Sequence, residues 1–356
     1  MGKIALILPG PIWSAPFVRI YTKILDDLQV DYTIISWNRD GNDSPEGIQF
    51  NYRLSLKVSS LSKLIGYYKF ARFAKKTIRR EQYDKLVVFC PQSGIFMTSL
   101  LKKYANKYIF DYRDLSIEQN SIFHNLFRKV LKYSYANVIS SPGFKKALPT
   151  GYKYIISHNF DTKVVERTLE EPTGDDWNIE KLKVVLTIGG IRDFESNSEV
   201  IKNLGNEKEY FLRFVGRGIS AEALRLYSEE RSVKNIEFTG YYPKEEEPNY
   251  IKKSTFLNIF YPRILSHDTA ISNRFYNSLI YKRPMLVTKN TTQGDLAEKY
   301  DVGIAVETCE NVKEYLDSFL QKDFKRYAER CNALLKLFLD EQQNFYETVN
   351  NFCFDK

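Results

Sequence analysis

The chain has little of what several function classes require. Of its 356 residues only three are histidine and four are cysteine, and Cys90, Cys309, Cys331 and Cys353 are scattered with no C-x-x-C pair. That spacing excludes a cysteine-rich zinc site and a disulfide framework, and it fits a reducing compartment. No apolar run approaches the roughly 20 residues needed to span a bilayer. The opening KIALILPG is a short apolar run closed by Pro-Gly, expected to be a buried first strand and not a secretory leader. It also lacks the serine or threonine of a myristoylation signal. No D-x-D triplet, internal repeat or low-complexity tract occurs.

What is present points to a two-domain binding protein or enzyme. The length suits two cores, and 43% hydrophobic residues can fill them. Tyr (25) and Phe (24) are abundant, which suits surfaces that hold rings or lipid headgroups as well as interiors. The charge is lopsided. Residues 1–160 carry 24 Lys and Arg against 11 Asp and Glu, net +13, while the remainder carries 28 against 33, net −5. A basic N-terminal half suggests a polyanionic partner, an anionic membrane face or a nucleic acid; no nucleic-acid motif accompanies it.

Short apolar runs alternate with amphipathic segments along the whole length. In the first half, KIALIL, DYTIISW, KLVVFC, YIFDYRD, NVISS and YIISHNFD read as strands. Helices are expected over 17–28, 61–81, 93–104 and 121–136, with another after Pro142. Residues 162–180 are acidic and carry Pro-Thr-Gly, the best linker candidate. The pattern then restarts with LKVVLTIGG, YFLRFVGRG, NIEFTGY, TFLNIFYP, RPMLVT and VGIAVE. This predicts an α/β protein with two Rossmann-like, doubly wound parallel sheets facing a cleft. The expected division is 1–165, 166–340 and a C-terminal helix over 341–356 packing back on the first domain. Ligands of such sheets bind beyond the carboxyl ends of the strands.

Three stretches carry chemistry. VGRGIS with Ala221 matches G-x-G-x-x-A (Gly216, Gly218, Ala221), and Glu237 lies near the distance of a ribose acid. That suggests a nicotinamide dehydrogenase, but the match opens the second strand of its domain where the fingerprint opens the first. TIGGIRD ends the first strand of the second domain with Gly189 and Gly190 followed by Arg192, a natural diphosphate seat or a tight turn with a surface arginine. SNRFYNSLIYKRPMLVT is a helix in which Ser272 can act as cap and Arg274 adds positive charge, with Asn273 and Asn277 able to bond hydroxyls. It suits an anionic, hydroxyl-rich ligand, or is simply an amphipathic helix packed on a sheet. Lys282 and Arg283 suit its C-terminus.

Taken in order, GGIRDFESN, LRFVGRG, NIEFTGYYPKEEEPNYIKKSTFLNIFYP and SNRFYNSLIYKRPMLVT resemble glycosyltransferases of the two-Rossmann-domain (GT-B) fold. The likeness is closest to the bacterial capsule and cell-surface polysaccharide enzymes related to the large retaining (group 1, family 4-like) transferases. It covers about 170 residues of the C-terminal half. It continues more weakly through FDYRDLS, VISSPGFKKAL and IISHNFD. The resemblance implies donor-diphosphate contacts at Gly189, Gly190 and Arg192, a nucleotide pocket at Gly216 and Arg217, and Tyr241 near the base. Arg274 stands where the family has its basic residue. The glutamate that holds the ribose hydroxyls in the family is here Asn277, and the carboxylate eight residues earlier is Thr269, with Asp268 one position removed. Asp268 supplies the missing carboxylate if the loop carries a one-residue insertion.

On this reading the leaving diphosphate is stabilised by Arg192, Arg274 and the helix terminus. The missing D-x-D, which carries the metal in the other major glycosyltransferase fold, implies a metal-independent mechanism. The co-substrate is a UDP- or GDP-linked sugar, with no further cofactor. Asp111, Arg113 and Asp114 end a strand, where a carboxylate activates an acceptor hydroxyl or an Asp–Arg pair fixes a loop. His158 is a second base candidate or a structural histidine. Arg19, in the loop after the first strand, joins Arg113 as an acceptor contact. The basic-aromatic helices, with Lys63, Lys69, Arg72, Lys75, Lys76, Arg79 and Arg80 among Tyr67, Tyr68, Phe70 and Phe73, suit an anionic leaflet carrying a lipid-linked glycan acceptor. The expectation is a cytoplasmic enzyme, peripheral on the inner face of the cell membrane. Its rivals are a catalytically inactive GT-B-like binding subunit, which Asn277 favours, and a sugar-nucleotide epimerase using His158 and His267.

Overall fold

The computed structural model describes residues 2–42, 46–55, 58–172, 177 and 182–355. The chain divides into two compact units, residues 1–159 with 340–356, and residues 160–339.

The first unit holds a seven-stranded sheet. Its strands are β1 (Ile4–Leu8), β2 (Tyr32–Asn38), β3 (Ile48–Asn51), β4 (Lys85–Phe89), β5 (Tyr108–Tyr112), β6 (Ala136–Ile139) and β7 (Tyr154–Ile156). They lie in the order β3-β2-β1-β4-β5-β6-β7 and every pairing is parallel. β3 was not expected: its residues are half-buried to exposed and do not alternate, so the edge strand gives no period-2 signal. The segment after Pro142 forms a 3-10 turn over Pro142–Lys146.

The second unit holds six parallel strands, β8 (Lys183–Ile188), β9 (Tyr210–Val215), β10 (Ile236–Gly240), β11 (Phe256–Ile259), β12 (Met285–Thr288) and β13 (Gly303–Val306). Their order is β10-β9-β8-β11-β12-β13. Successive residues serve opposite faces. Leu186, Leu257 and Val287 enter one buried cluster, and Val185, Phe256 and Leu286 enter the other. Both faces are covered by helices, which is why the inner strands read as nearly unbroken apolar runs, whereas the edge strand β10 is only half-buried.

Residues Thr162–Glu170, expected as linker, form a helix of the second unit, capped by Asp161, whose side chain accepts from the Lys163 amide at 3.0 Å. Its apolar face buries Val165 in the core, and the acidic residues that suggested a linker are its solvent face. Residues 173–176 and 178–180 of that candidate linker lie outside the described residues. The last helix, Phe324–Phe354, contributes Tyr327, Leu334 and Phe338 to the second unit's core, and Phe345, Val349 and Phe352 to the first's.

Candidate functional site

In the second sheet the winding reverses between β8 and β11, so the connections leaving their carboxyl ends diverge and open a crevice. A cavity of about 400 Å³ lies there, lined by Gly189, Gly190, Arg192, Tyr242, Lys244, Glu247, Tyr261, His267, Ser272, Asn273, Arg274 and Asn277 among others. A second hollow of about 270 Å³ shares Gly189, Gly190, Tyr242 and Lys244 and adds Gly216, Arg217 and Tyr241. The structure therefore gathers all but one of the expected donor-side residues at one place; the exception is Asp268.

The helix Asn273–Ile280 begins at this cavity. Ser272 does not cap it as expected. Its hydroxyl donates to Gln293 Oε1 at 2.7 Å and its amide to the same oxygen at 2.9 Å, so no side chain caps the first turn. The positive end of the dipole is left toward the cavity. Arg274 is buried, and its guanidinium donates to three backbone carbonyls: Ile188 at 2.5 Å, Asn258 at 3.0 Å and Gly190 at 3.1 Å. It ties the ends of β8 and β11 together, a role invisible in the sequence because backbone acceptors have no side-chain signature. Arg192 is exposed beside Gly190 and has no acidic partner among the described residues. It is the cation available to an incoming anion.

The glycines have steric work. Gly189 adopts φ +94° with no heavy atom within 4 Å of a Cβ built on it, which leaves its backbone open to a ligand. A Cβ on Gly216 would come within 2.0 Å of the Gly189 carbonyl oxygen, and one on Gly218 within 1.9 Å of that of Ile191. The G-x-G of VGRG is thus explained by two loops packed backbone to backbone. Glu237, the candidate ribose acid of a dinucleotide site, is paired with Arg213 at 3.0 Å. Arg217 stacks over the Tyr241 ring at 5.2 Å, forming an exposed flat shelf.

Asp268 is not the carboxylate of this cavity. Arg263 holds it in a fork, Nε to Oδ1 at 2.8 Å and Nη2 to Oδ2 at 3.0 Å. Two carboxylates do line the cavity, Asp193, next to Arg192, and Glu247, and sequence reasoning missed Glu247. It is buried and accepts from the Tyr242 hydroxyl at 2.5 Å, from Asn277 Nδ2 at 3.1 Å and from Lys244. Burial by itself raises its carboxyl, but the bonds from Lys244, Tyr242 and Asn277 outweigh that and hold it below the ordinary range. The signal was a run of three glutamates after Tyr-Tyr-Pro-Lys, which reads as solvated charge until folding buries one of them. His267 also lines the cavity, its Nδ1 3.3 Å from the Pro262 carbonyl.

In the first unit, Asp111 and Arg113 form the loop-fixing pair, not an open acceptor site. Asp111 has no exposed surface and accepts from the Tyr21 hydroxyl at 2.6 Å and from Arg113 Nη2 at 2.7 Å. Arg113, 6% exposed, also donates to the Ser157 carbonyl and hydroxyl at 3.2 Å and lies over the Phe17 ring. His158 is likewise fully buried; its Nε2 meets Glu341 at 2.7 Å, and its amide donates to Gln342 at 2.8 Å. It is a structural histidine that fastens the end of β7 to the last helix. Arg19 is exposed and paired with Glu46 at 2.6 Å. Asp114, just past the end of β5, keeps some exposed surface, while partial burial of its carboxyl raises it and Arg113 opposes.

The basic-aromatic helices form one surface. Leu61, Ile65 and Tyr68 stand out from the helix Ser60–Glu81, and Ile122 (77% exposed) and Leu126 from the helix Ser121–Tyr133. Phe96 bridges them, its ring 6.1 Å from both Tyr68 and Phe123. Exposed Lys63, Lys69, Arg72 and Lys76 line the first helix, and Arg128, Lys129 and Lys132 the second. No described helix is long and apolar enough to cross a membrane, and no group of three or more His, Cys, Asp or Glu side chains gathers among the described residues.

No protein-family model matches the chain, and no curated protein sequence matches it. Solved structures do. A sucrose-phosphate synthase from Thermosynechococcus elongatus superposes with a TM-score of 0.67 at 13% identity, over 98% of this chain and 99% of that one. The HepE protein of Anabaena in complex with UDP-glucose gives 0.63 at 11%, over 99% and 100%. A UDP-N-acetylglucosamine 2-epimerase from Rickettsia bellii gives 0.58 at 10%, over 99% and 98%. At such identities the likeness carries the fold, two Rossmann-like domains of the GT-B type.

Proposed function

We propose that the protein is a glycosyltransferase that moves a sugar from a UDP- or GDP-linked donor to a lipid-linked glycan acceptor in the synthesis of a bacterial surface polysaccharide. The observation that carries this reading is the cavity at the β8/β11 reversal. It combines open glycine backbone, a helix N-terminus that Ser272 does not cap, and an Arg192 with no acidic partner among the described residues, with an adjoining Arg217–Tyr241 shelf. Amides, a helix dipole and a guanidinium suit a diphosphate, and a stacked aromatic shelf suits a base. In the transfer step Arg192 and the helix terminus neutralise the departing diphosphate without a metal ion. Asp114 takes the proton of the acceptor hydroxyl, a role its raised carboxyl favours. Arg113 and Arg19, the expected acceptor contacts, are given no such role because both are already paired.

The acceptor's setting follows from the basic surface of the first unit. Apolar side chains ringed by cations suit the anionic inner face of the cell membrane, where lipid-linked glycans are reached from the cytoplasm. Incubation with UDP- and GDP-sugars and a membrane-extracted acceptor should release the nucleoside diphosphate, undiminished by EDTA. Absence of release from every donor would count against the transferase. A second reading, a sugar-nucleotide epimerase, is favoured by the presence of both His267 and Glu247 in the cavity lining. It requires deuterium from heavy water to enter the sugar without any acceptor.

A further inference from the structure

The cavity offers more than one kind of contact. Arg192, next to Asp193, and the first turn of the helix Asn273–Ile280 line it. So does a second carboxylate, Glu247, 8% exposed and bonded to Tyr242, Lys244 and Asn277. A carboxylate accepts hydrogen bonds and donates none, and its two oxygens have about four acceptor positions. Three are taken, two on Oε1 by Lys244 and Asn277 and one on Oε2 by Tyr242. The side chain of Lys244 is 70% exposed, so its ammonium can turn to water at little cost. That frees one position on each oxygen, the pattern that receives two neighbouring hydroxyl groups. A phosphate is repelled by this carboxylate and drawn to the Arg192 guanidinium and the helix terminus.

Resting on the nucleotide-sugar reading above, we infer that Glu247 holds the cis-diol of the donor's ribose, and that Asn277 is its positioning partner. The asparagine does not replace a carboxylate in this site. Its amide donates to one, which enters from the short helix Glu247–Lys252, and this keeps Glu247 Oε1 turned into the cavity. The Tyr242 hydroxyl fixes the other oxygen. The ligand class is therefore a ribonucleoside diphosphate, and a 2′-deoxy analogue loses one charge-assisted bond.

Calorimetric titration of the full chain with UDP and GDP, and with their 2′-deoxy counterparts, tests the inference. The ribonucleotide should bind about tenfold or more tighter than its deoxy analogue. In Glu247→Gln, which keeps shape and removes charge, that ratio should fall to within about threefold. Arg192→Ala should weaken both nucleotides together and leave the ratio as in wild type. Circular dichroism and melting curves confirm that each variant is folded, and Asn277→Asp offers a second route, since a carboxylate placed beside Glu247 should also reduce the ratio. Wild-type protein that binds ribo and deoxy forms alike, or a folded Glu247→Gln that still discriminates, overturns the role of Glu247 while the nucleotide site stands. Wild-type protein that binds neither series overturns the nucleotide reading and this inference with it.

Discussion

Two arginines that line the same cavity illustrate what decides function at the residue scale. Arg274 spends its guanidinium on three carbonyls, so Arg274→Ala should destabilise the second unit by about 3 kcal/mol by leaving buried acceptors unpaired. Arg192 is exposed, so Arg192→Ala should leave the unfolding free energy from urea titration within about 0.5 kcal/mol of wild type and weaken nucleotide binding instead. In the first unit, Asp111→Asn strips the charge partner from a buried Arg113 and should cost about 3–5 kcal/mol in urea unfolding. His158 adds a pH dependence. Burial pushes its imidazole below the usual value, against the pull of Glu341, so on acidification the unfolded chain takes the proton first. The stabilisation is whole above about pH 6.5 and is lost as pH falls from there toward the folded value; His158→Asn should flatten that slope. Glycine, Arg192 and the helix start were legible in the sequence because each has a local signature. The fates of Asp111, His158, Arg274 and Glu247 were not, because a partner 30 to 180 residues away, or a backbone carbonyl, decides them.

At the scale of elements, twelve of the thirteen strands were readable because sheets buried on both faces need continuous apolar runs. The exception, β3, is half-buried to exposed along its whole length and so carries no such run. The helix Thr162–Glu170 was hidden by its own acidic solvent face. The helices Ser60–Glu81 and Ser121–Tyr133 carry a prediction of their own. Sedimentation with vesicles containing anionic phosphatidylglycerol should capture the protein, neutral phosphatidylcholine vesicles should not, and raised salt should release it. Ile122→Glu should weaken capture by about tenfold, since burying a side chain of that size is worth about 1.5–3 kcal/mol. Equal capture by neutral vesicles, or none by anionic ones, would assign this surface to another partner.

For the whole molecule, the charge imbalance of the sequence maps onto two units with separate cores, a basic one and a mildly acidic one. The chain returns to the first unit only through its last residues, which deliver Phe345, Val349 and Phe352 to that core. A chain ended at residue 339 should therefore lose about 5 kcal/mol or more from the first unit, with extended-chain areas setting an upper bound. Hydrogen exchange would show fast labelling of β1, β4 and β5 with β8 to β13 still protected. The measurement closest to the centre is calorimetric titration of the wild-type chain and Arg192→Ala with UDP, GDP, CMP and TDP. Saturable binding of one nucleoside diphosphate, weakened about tenfold or more in the variant, is the expected result. A folded wild-type protein that binds none of the four would contradict the nucleotide-sugar site.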